Sequence, residues 1–165
     1  MKRVFCKFTV ESLSASYIPF PRFLMEDCFA ELGETIRGIT VSGGEPMLQI
    51  DFLTELFRKA KDQGIHTTLD TSGNPFTREG ERFEKIRKLL KVTDLVMLDI
   101  KHIDDEQHKI LTGQTNRNIL DMARYLDEIG KPMWIRHVLV PERSDKDEYL
   151  TRLDAFIQSL HNVQK

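Results

Sequence analysis

The sequence has few cysteines, no long apolar run and almost no excess charge. Its only two cysteines, Cys6 and Cys28, lie far apart among 165 residues, so neither a disulfide framework nor a Cys-x-x-Cys metal site is expected. Such sparse cysteine usage predicts a reducing, cytoplasmic location. A net charge of -2 disfavours a nucleic-acid partner. The absence of a long uncharged apolar stretch disfavours a membrane-spanning segment.

The spacing of apolar residues alternates between the periods of strands and of helices. The hydrophobic fraction of 40% and charged fraction of 30% are typical of a globular domain. Strand–helix alternation predicts an α/β fold with parallel strands and right-handed crossovers. Because a complete eight-stranded barrel needs about 250 residues, the prediction is a parallel sheet that forms part of an incomplete TIM-like (βα) barrel. The predicted strands are 38–41, 65–70, 95–99 and 133–140.

The predicted helices lie between these strands. Leu53, Leu56, Phe57 and Ala60 mark one face of the first, which Gly64 ends. Later helices are predicted around Phe83–Leu90, over Asp104–Leu111, around Ile119–Leu126 and after a capping Ser144. The first part of the chain is patterned weakly, with a strand at Val4–Val10 and a helix at Arg22–Leu32 as its predicted elements.

Polar residues follow every predicted strand at its carboxyl end. Asp70 and Asp99 end the second and third strands, Lys101 follows two residues later, and Arg136 lies within the fourth. Ligands of α/β folds bind at this end of the sheet. We therefore expect these side chains to meet at one rim.

Asp99 and Lys101 are two residues apart and so point to the same face of their strand. Together they suit a zwitterionic ligand, whose ammonium would meet the carboxylate and whose carboxylate would meet the ammonium. The alternative is an ion pair that satisfies itself without a ligand. Arg136 shares a face with Val138 and needs an anionic partner, for which Asp70, Glu45 or a bound anion would serve. The five histidines are interpreted as structural or surface residues.

Two further features allow both a binding and a structural interpretation. Gly43-Gly44 lets backbone groups approach a ligand closely, because no Cβ intervenes, and the alternative is an ordinary turn. Asp70 is placed to hold ribose hydroxyls or a cation, or else to form an Asx-turn with Thr71 and Ser72.

Four stretches, in this order, carry a family resemblance: Ile39–Gln49, Gly64–Gly73, Val92–Lys101 and Trp134–Pro141. With them the chain resembles the pyruvate formate-lyase activating enzymes, a family of glycyl-radical enzyme activases within the adenosylmethionine-radical (radical SAM) superfamily. The resemblance implies a single partial radical SAM domain over 1–165, in which 38–165 matches the barrel core and 1–37 is atypical.

The resemblance also implies a chemistry. In the family, a reduced [4Fe-4S] cluster passes one electron to S-adenosylmethionine, and the resulting 5′-deoxyadenosyl radical removes hydrogen from a backbone glycine of the partner, a glycyl-radical enzyme such as pyruvate formate-lyase. The resemblance implies that the methionyl group of S-adenosylmethionine is surrounded by Gly43, Gly44, Glu45, Asp99 and Lys101. Around the ribose and nucleoside it places Asp70, Arg136 and Val138.

One family feature is missing from this sequence. The cluster is held by a Cys-x-x-x-Cys-x-x-Cys loop, and no such loop is present. No metal ligand and no catalytic residue is therefore assigned, and the chain is expected to be a fragment that is inactive alone and that lacks the family's C-terminal part. The alternatives are a non-catalytic α/β binding scaffold and a radical SAM enzyme that acts on another glycyl-radical enzyme or on a small molecule.

Overall fold

The computed structural model describes residues 7–9 and 37–165. The chain divides into two compact units, Met1–Asp70 with Glu84–Asp94, and Thr71–Phe83 with Leu95–Lys165. Of the strand predicted at Val4–Val10, Lys7–Thr9 is described and extended. The helix predicted at Arg22–Leu32 and both cysteines lie outside the described residues.

The first unit is built on parallel strands covered by amphipathic helices. Residue pairs in register include Phe8 with Val41, and Val41 with Leu69. A short 3-10 helix, Pro46–Gln49, precedes the first long helix. The elements are β1 (Lys7–Thr9), β2 (Gly38–Ser42), α1 (Ile50–Asp62), β3 (His66–Thr71) and α2 (Gly80–Lys91). The helix α2 starts in the second unit and continues into the first.

Helix α1 confirms the predicted amphipathic face. Leu53, Leu56, Phe57 and Ala60 are all buried, as expected for apolar residues that recur every three to four positions. Burial of one Leu or Phe side chain contributes about 1.5–3 kcal/mol, so this face contributes substantially to the stability of the fold.

The second unit repeats the strand–helix pattern. Its two strands are parallel, and their register places Asp99 opposite Arg136. The elements are β4 (Leu95–Asp99), α3 (Asp105–Thr112), α4 (Arg117–Glu128), β5 (Met133–Arg136) and α5 (Asp147–Gln158). The side chain of Asp104 caps α3 by accepting a hydrogen bond from the Gln107 amide, and Gly113 ends the helix at φ 74°. No helix in the described part of the chain is long and apolar enough to cross a bilayer.

Two details of the predicted C-terminal region are wrong. The strand expected over 133–140 ends at Arg136, because its neighbour β4 ends at Asp99 and the chain then turns away, which leaves Leu139 58% exposed. Ser144 does not cap the last helix, which begins after Lys146. Its hydroxyl instead donates to the Val138 carbonyl and accepts from the Val140 amide, so it closes the turn that follows β5.

Candidate functional site

In the first unit, a hydrogen bond joins the ends of β2 and β3. The Ser42 hydroxyl donates to Asp70 Oδ2 over 2.8 Å, and Asp70 is only 9% exposed. The turn that follows β3 is closed by the hydroxyls of Thr71 and Ser72, each of which accepts a hydrogen bond from the backbone amide two residues later. Asp70 is therefore tied to the neighbouring strand, at the carboxyl edge where the sequence placed it.

The loop after β2 has the backbone form that a close approach requires. Gly43 and Gly44 have φ angles of 99° and 52°, a region in which side chains other than glycine are strained. The carboxylate of Glu45 accepts from the Met47 amide over 3.1 Å and so caps the short helix that begins at Pro46. The side chain of Glu45 thus has a structural role here. Only its backbone belongs, with Gly43 and Gly44, to the loop that a ligand could approach.

In the second unit, Asp99 receives two cations on one oxygen. Lys101 Nζ lies 2.6 Å from Asp99 Oδ2, and an Arg136 guanidinium nitrogen lies 3.0 Å from the same atom. The Asp99–Lys101 ion pair considered from the sequence is therefore present. The sequence analysis did not name Asp99 as a partner of Arg136, although the strand register that sets them opposite one another makes the contact direct.

The other oxygen of Asp99 is the unusual feature of this cluster. Asp99 is 5% exposed, and its Oδ1 atom is buried without a hydrogen-bond partner among the described residues. A buried unsatisfied acceptor costs about 1–3 kcal/mol, and more when the group is charged. The side chains of Lys101 and Arg136 remain 41% and 44% exposed, so the cluster combines a buried acceptor with two accessible cations.

The last predicted site residue, Val138, lies just beyond this cluster. It is 46% exposed and follows the end of β5, outside any strand. The neighbouring His137 donates from Nδ1 to the Ile100 carbonyl over 2.7 Å. His102 is fully buried, and burial lowers its pKa from the ordinary value despite hydrogen bonds that act in the opposite direction. Both rings are bonded to backbone groups, whereas the sequence analysis interpreted them as structural or surface residues.

The donor atoms present do not fit an iron–sulfur cluster. Three nearby thiolates are needed to leave one iron open, whereas this sequence contains two widely separated cysteines. Among residues 7–9 and 37–165, no three His, Cys, Asp or Glu side chains are grouped so that they could hold a metal ion.

A family model described as the radical SAM superfamily matches residues 4–153. The chain therefore belongs to the radical SAM superfamily. Within it, the chain is 58% identical over 128 residues to the pyruvate formate-lyase-activating enzyme of Streptococcus mutans, which covers 78% of this chain and 49% of that protein. The enzyme of the same name from Listeria monocytogenes is 52% identical over 128 residues, 78% of this chain and 52% of that protein. These matches confirm the family resemblance, and the chain spans about half the length of these relatives.

Solved structures agree with this family. A domain of pyruvate-formate lyase-activating enzyme from Bacteroides vulgatus matches with a TM-score of 0.66 and 27% identity, covering 74% of this chain and 73% of that one. SuiB of Streptococcus suis, in a structure bound to S-adenosylmethionine, also has a TM-score of 0.66 but only 16% identity, over 96% of this chain and 36% of that one, and so informs on fold alone. The likeness confirms the predicted fold class, a parallel α/β sheet that forms part of a TIM-like barrel.

Proposed function

We propose that this chain carries the adenosylmethionine-binding portion of a radical SAM activating enzyme whose protein substrate is the glycyl-radical enzyme pyruvate formate-lyase. The observation that carries the proposal is the Asp99 cluster, which combines a buried unsatisfied oxygen with two cations. Its support from outside the chain is the 58% identity to a relative with that activity in its name.

The cluster has the charge pattern that a methionyl group requires. Asp99 Oδ1 is a buried acceptor suited to an ammonium, since a charge-assisted hydrogen bond would relieve its lack of a partner. Lys101 and Arg136 expose cationic groups beside it, suited to a carboxylate. This role for Arg136 differs from the one that the resemblance implies, which is beside the nucleoside. Cation and anion would thus each meet their complement within one cluster.

The predicted residues of the first unit are suited to backbone contacts with the methionyl group and to a contact with the ribose. Gly43 and Gly44 present backbone groups without a side chain in the way, and Glu45 would contribute its backbone to the same loop. Asp70, fixed by Ser42, is placed to accept from ribose hydroxyls, and Val138 to flank the nucleoside. When bound, S-adenosylmethionine supplies the 5′-deoxyadenosyl group that the family uses to remove hydrogen from glycine.

Catalysis by this chain alone is not part of the proposal. The two cysteines present cannot provide the thiolates of a [4Fe-4S] cluster. The lack of these ligands is also what the alternative, a non-catalytic binding scaffold, would predict. The assignment of 1–165 to one partial domain and the cytoplasmic location both stay predictions.

A chimera tests the proposal directly. The 128 residues of this chain that align with the Streptococcus mutans enzyme would replace their counterparts in that enzyme, which keeps its own remaining segments. After anaerobic reconstitution, we expect the chimera to produce a glycyl radical on pyruvate formate-lyase, detected by electron paramagnetic resonance. The unmodified chain should produce none.

Two controls separate the possible failures. The chimera with Asp99→Asn should bind a cluster and yet yield little radical, because the cluster is held elsewhere in the chimera. A chimera that binds its cluster and activates only a different glycyl-radical enzyme would show that the proposed target is wrong. One that binds its cluster and activates none would favour the binding-scaffold alternative.

A further inference from the structure

The ion cluster of the second unit is followed on both strands by a histidine whose ring bonds to backbone. The Ile100 amide donates to the Arg136 carbonyl over 2.9 Å, and the Ile100 carbonyl accepts from His137 Nδ1 over 2.7 Å. Ile100 lies between Asp99 and Lys101, and His137 follows Arg136. One imidazole thus bonds to the residue that separates two members of the cluster, next to the third.

The imidazole replaces a hydrogen bond of the sheet. The register pairs Asp99 with Arg136, and a regular parallel ladder would continue with the amide of residue 138 donating to the Ile100 carbonyl. The chain leaves the strand after Arg136, and His137 Nδ1 donates to that carbonyl instead. The side chain therefore extends the pairing of β4 and β5 by one step, at the height of the cluster.

A second imidazole holds the same region from the other strand. His102 follows Lys101; its Nδ1 accepts from the Asp104 amide over 2.9 Å, so its Nε2 carries the proton and faces the Arg143 carbonyl at 3.3 Å. His137 Nε2 lies 3.4 Å from the next carbonyl, that of Ser144. Ser144 is fully buried. The turn after β5 is thus bonded to His102, and its Ser144 carbonyl lies next to the His137 ring.

We infer that His137 is a positioning residue for the Asp99–Lys101–Arg136 cluster: by bonding the Ile100 carbonyl, it fixes the two cations relative to the carboxylate. The inference rests on the proposed function insofar as the cluster binds a methionyl group. Lys101 and Arg136 have long side chains that lose rotamer freedom when they bind. A backbone fixed between them reduces the further ordering that a ligand must impose.

The experiment compares three single variants of the chain. His137→Phe keeps a ring of similar size and removes both ring nitrogens, including the Nδ1–H donor. His137→Asn keeps a donor near the position of Nδ1. His66→Phe removes an exposed imidazole of the first unit and is the control. Each would be titrated calorimetrically with S-adenosylmethionine and with 5′-methylthioadenosine, which lacks the amino-acid portion, and amide hydrogen exchange would be followed at Ile100 and Lys101.

For His137→Phe we expect about threefold to tenfold weaker binding of S-adenosylmethionine, unchanged binding of 5′-methylthioadenosine, and at least tenfold faster exchange at the Ile100 amide. His137→Asn should recover most of both effects, and His66→Phe should match the parent chain. A purely structural role would weaken the two ligands alike, and that outcome would overturn the inference.

Exchange keeps the two hypotheses apart. If the parent chain binds no S-adenosylmethionine, the proposed function is wrong, while faster exchange at Ile100 in His137→Phe would still support positioning of the cluster. If the parent chain binds the ligand and His137→Phe changes neither affinity nor exchange, the positioning role is wrong and the proposed function stands.

Discussion

The predicted site residues of the two units offer opposite kinds of chemistry. In the first, the predicted residues offer backbone groups at Gly43 and Gly44 and a carboxylate, Asp70, that is held by a neutral hydroxyl. Such a surface depends on backbone shape, and it changes little with salt. Its sensitivity lies in the glycines and in one hydrogen bond.

The second unit depends on charge. Asp99 is buried while its partners Lys101 and Arg136 reach solvent, so the carboxylate cannot lose its cations without leaving a buried charge uncompensated, a change that costs about 3–5 kcal/mol. The accessible ends of the two cations are screened by salt. The comparison predicts that charge substitutions, salt and ligand fragments act differently on the two units.

The largest expected effect qualifies this comparison, because the charged unit also needs a glycine. Gly73 has φ 73°, and a Cβ there would lie 2.7 Å from Leu98 Cδ1 and 3.3 Å from Met122 Sδ, both in fully buried side chains. Gly113 has nearly the same φ, 74°, and nothing within 4 Å. We expect Gly73→Ala to destabilise the fold by about 2–4 kcal/mol and Gly113→Ala by about 1–2 kcal/mol.

Urea denaturation of the two variants measures this difference. Since both substitutions carry the same backbone strain, the excess for Gly73→Ala reports the crowding alone. Equal costs would mean that Leu98 and Met122 shift aside freely and that close packing at Gly73 does not support the second unit.

The next prediction separates the two units by ligand. Asp99→Asn keeps the size of the side chain and removes its charge, so we expect at least tenfold weaker binding of S-adenosylmethionine, about 1.4 kcal/mol, with 5′-methylthioadenosine unaffected. Asp70→Asn should weaken both ligands alike, because its proposed contact is with the ribose. Binding by the chain itself is expected to be weak, with a dissociation constant on the order of 1 mM.

Calorimetry with millimolar ligand makes the comparison. The placement of the methionyl group beside Asp99 is contradicted if Asp99→Asn lowers the affinity for 5′-methylthioadenosine as much as that for S-adenosylmethionine. Tight binding that survives Asp99→Ala combined with Lys101→Ala would contradict the whole site.

Salt should produce a smaller effect, confined to the charged unit. Raising NaCl from about 0.02 to about 0.5 M shortens the screening length to a few ångströms, and the exposed ends of Lys101 and Arg136 each contribute only about 0.2–1 kcal/mol. We expect about twofold weaker binding of S-adenosylmethionine and no change for 5′-methylthioadenosine. An equal loss for both ligands would show that screening of these cations is not the cause.

The sequence predicted much of this arrangement, because the relevant signals are local. Helix α1 and the end of α3 at Gly113 follow from apolar spacing and from a glycine that adopts positive φ. Asp70 and Asp99 were found because polar residues that directly follow apolar strands are conspicuous. That the site residues of the two units meet at one rim stays a prediction.

The features that the sequence analysis missed depend on the register of paired strands and on a side chain that takes the place of a backbone hydrogen-bond donor. The contact between Arg136 and Asp99 could be predicted only from the register of β4 and β5, which sets the two residues opposite one another. The early end of β5 and the use of Ser144 within a turn require knowing that His137 takes over a backbone hydrogen bond. The alternation of apolar residues over 133–140 does not indicate that a side chain replaces a backbone donor there.

The smallest expected effect concerns His102, which acts on stability rather than on charge. Its ring is buried, accepts a hydrogen bond from the Asp104 amide at Nδ1 and packs edge-on against Tyr149 with ring centroids 4.4 Å apart. Burial lowers its pKa, and the nearby His137 acts in the same direction. Protonation would also remove the acceptor at Nδ1.

Because the folded state holds this proton less tightly than the unfolded chain, the contribution of His102 to stability is complete above its ordinary pKa, about 6.5, and declines as the pH falls through the lower pKa of the folded state. The pKa of the neighbouring Asp104 carboxyl is also lowered, chiefly by the Gln107 amide, but its effect on stability falls in a more acidic range. Urea denaturation between about pH 7.5 and pH 5 should show stability decreasing with acidity, with a smaller slope in His102→Gln than in the parent chain or in His66→Gln. If His102→Gln leaves the slope unchanged, protonation of the buried imidazole is not what weakens the fold, and the turn after β5 must be held by contacts other than this ring.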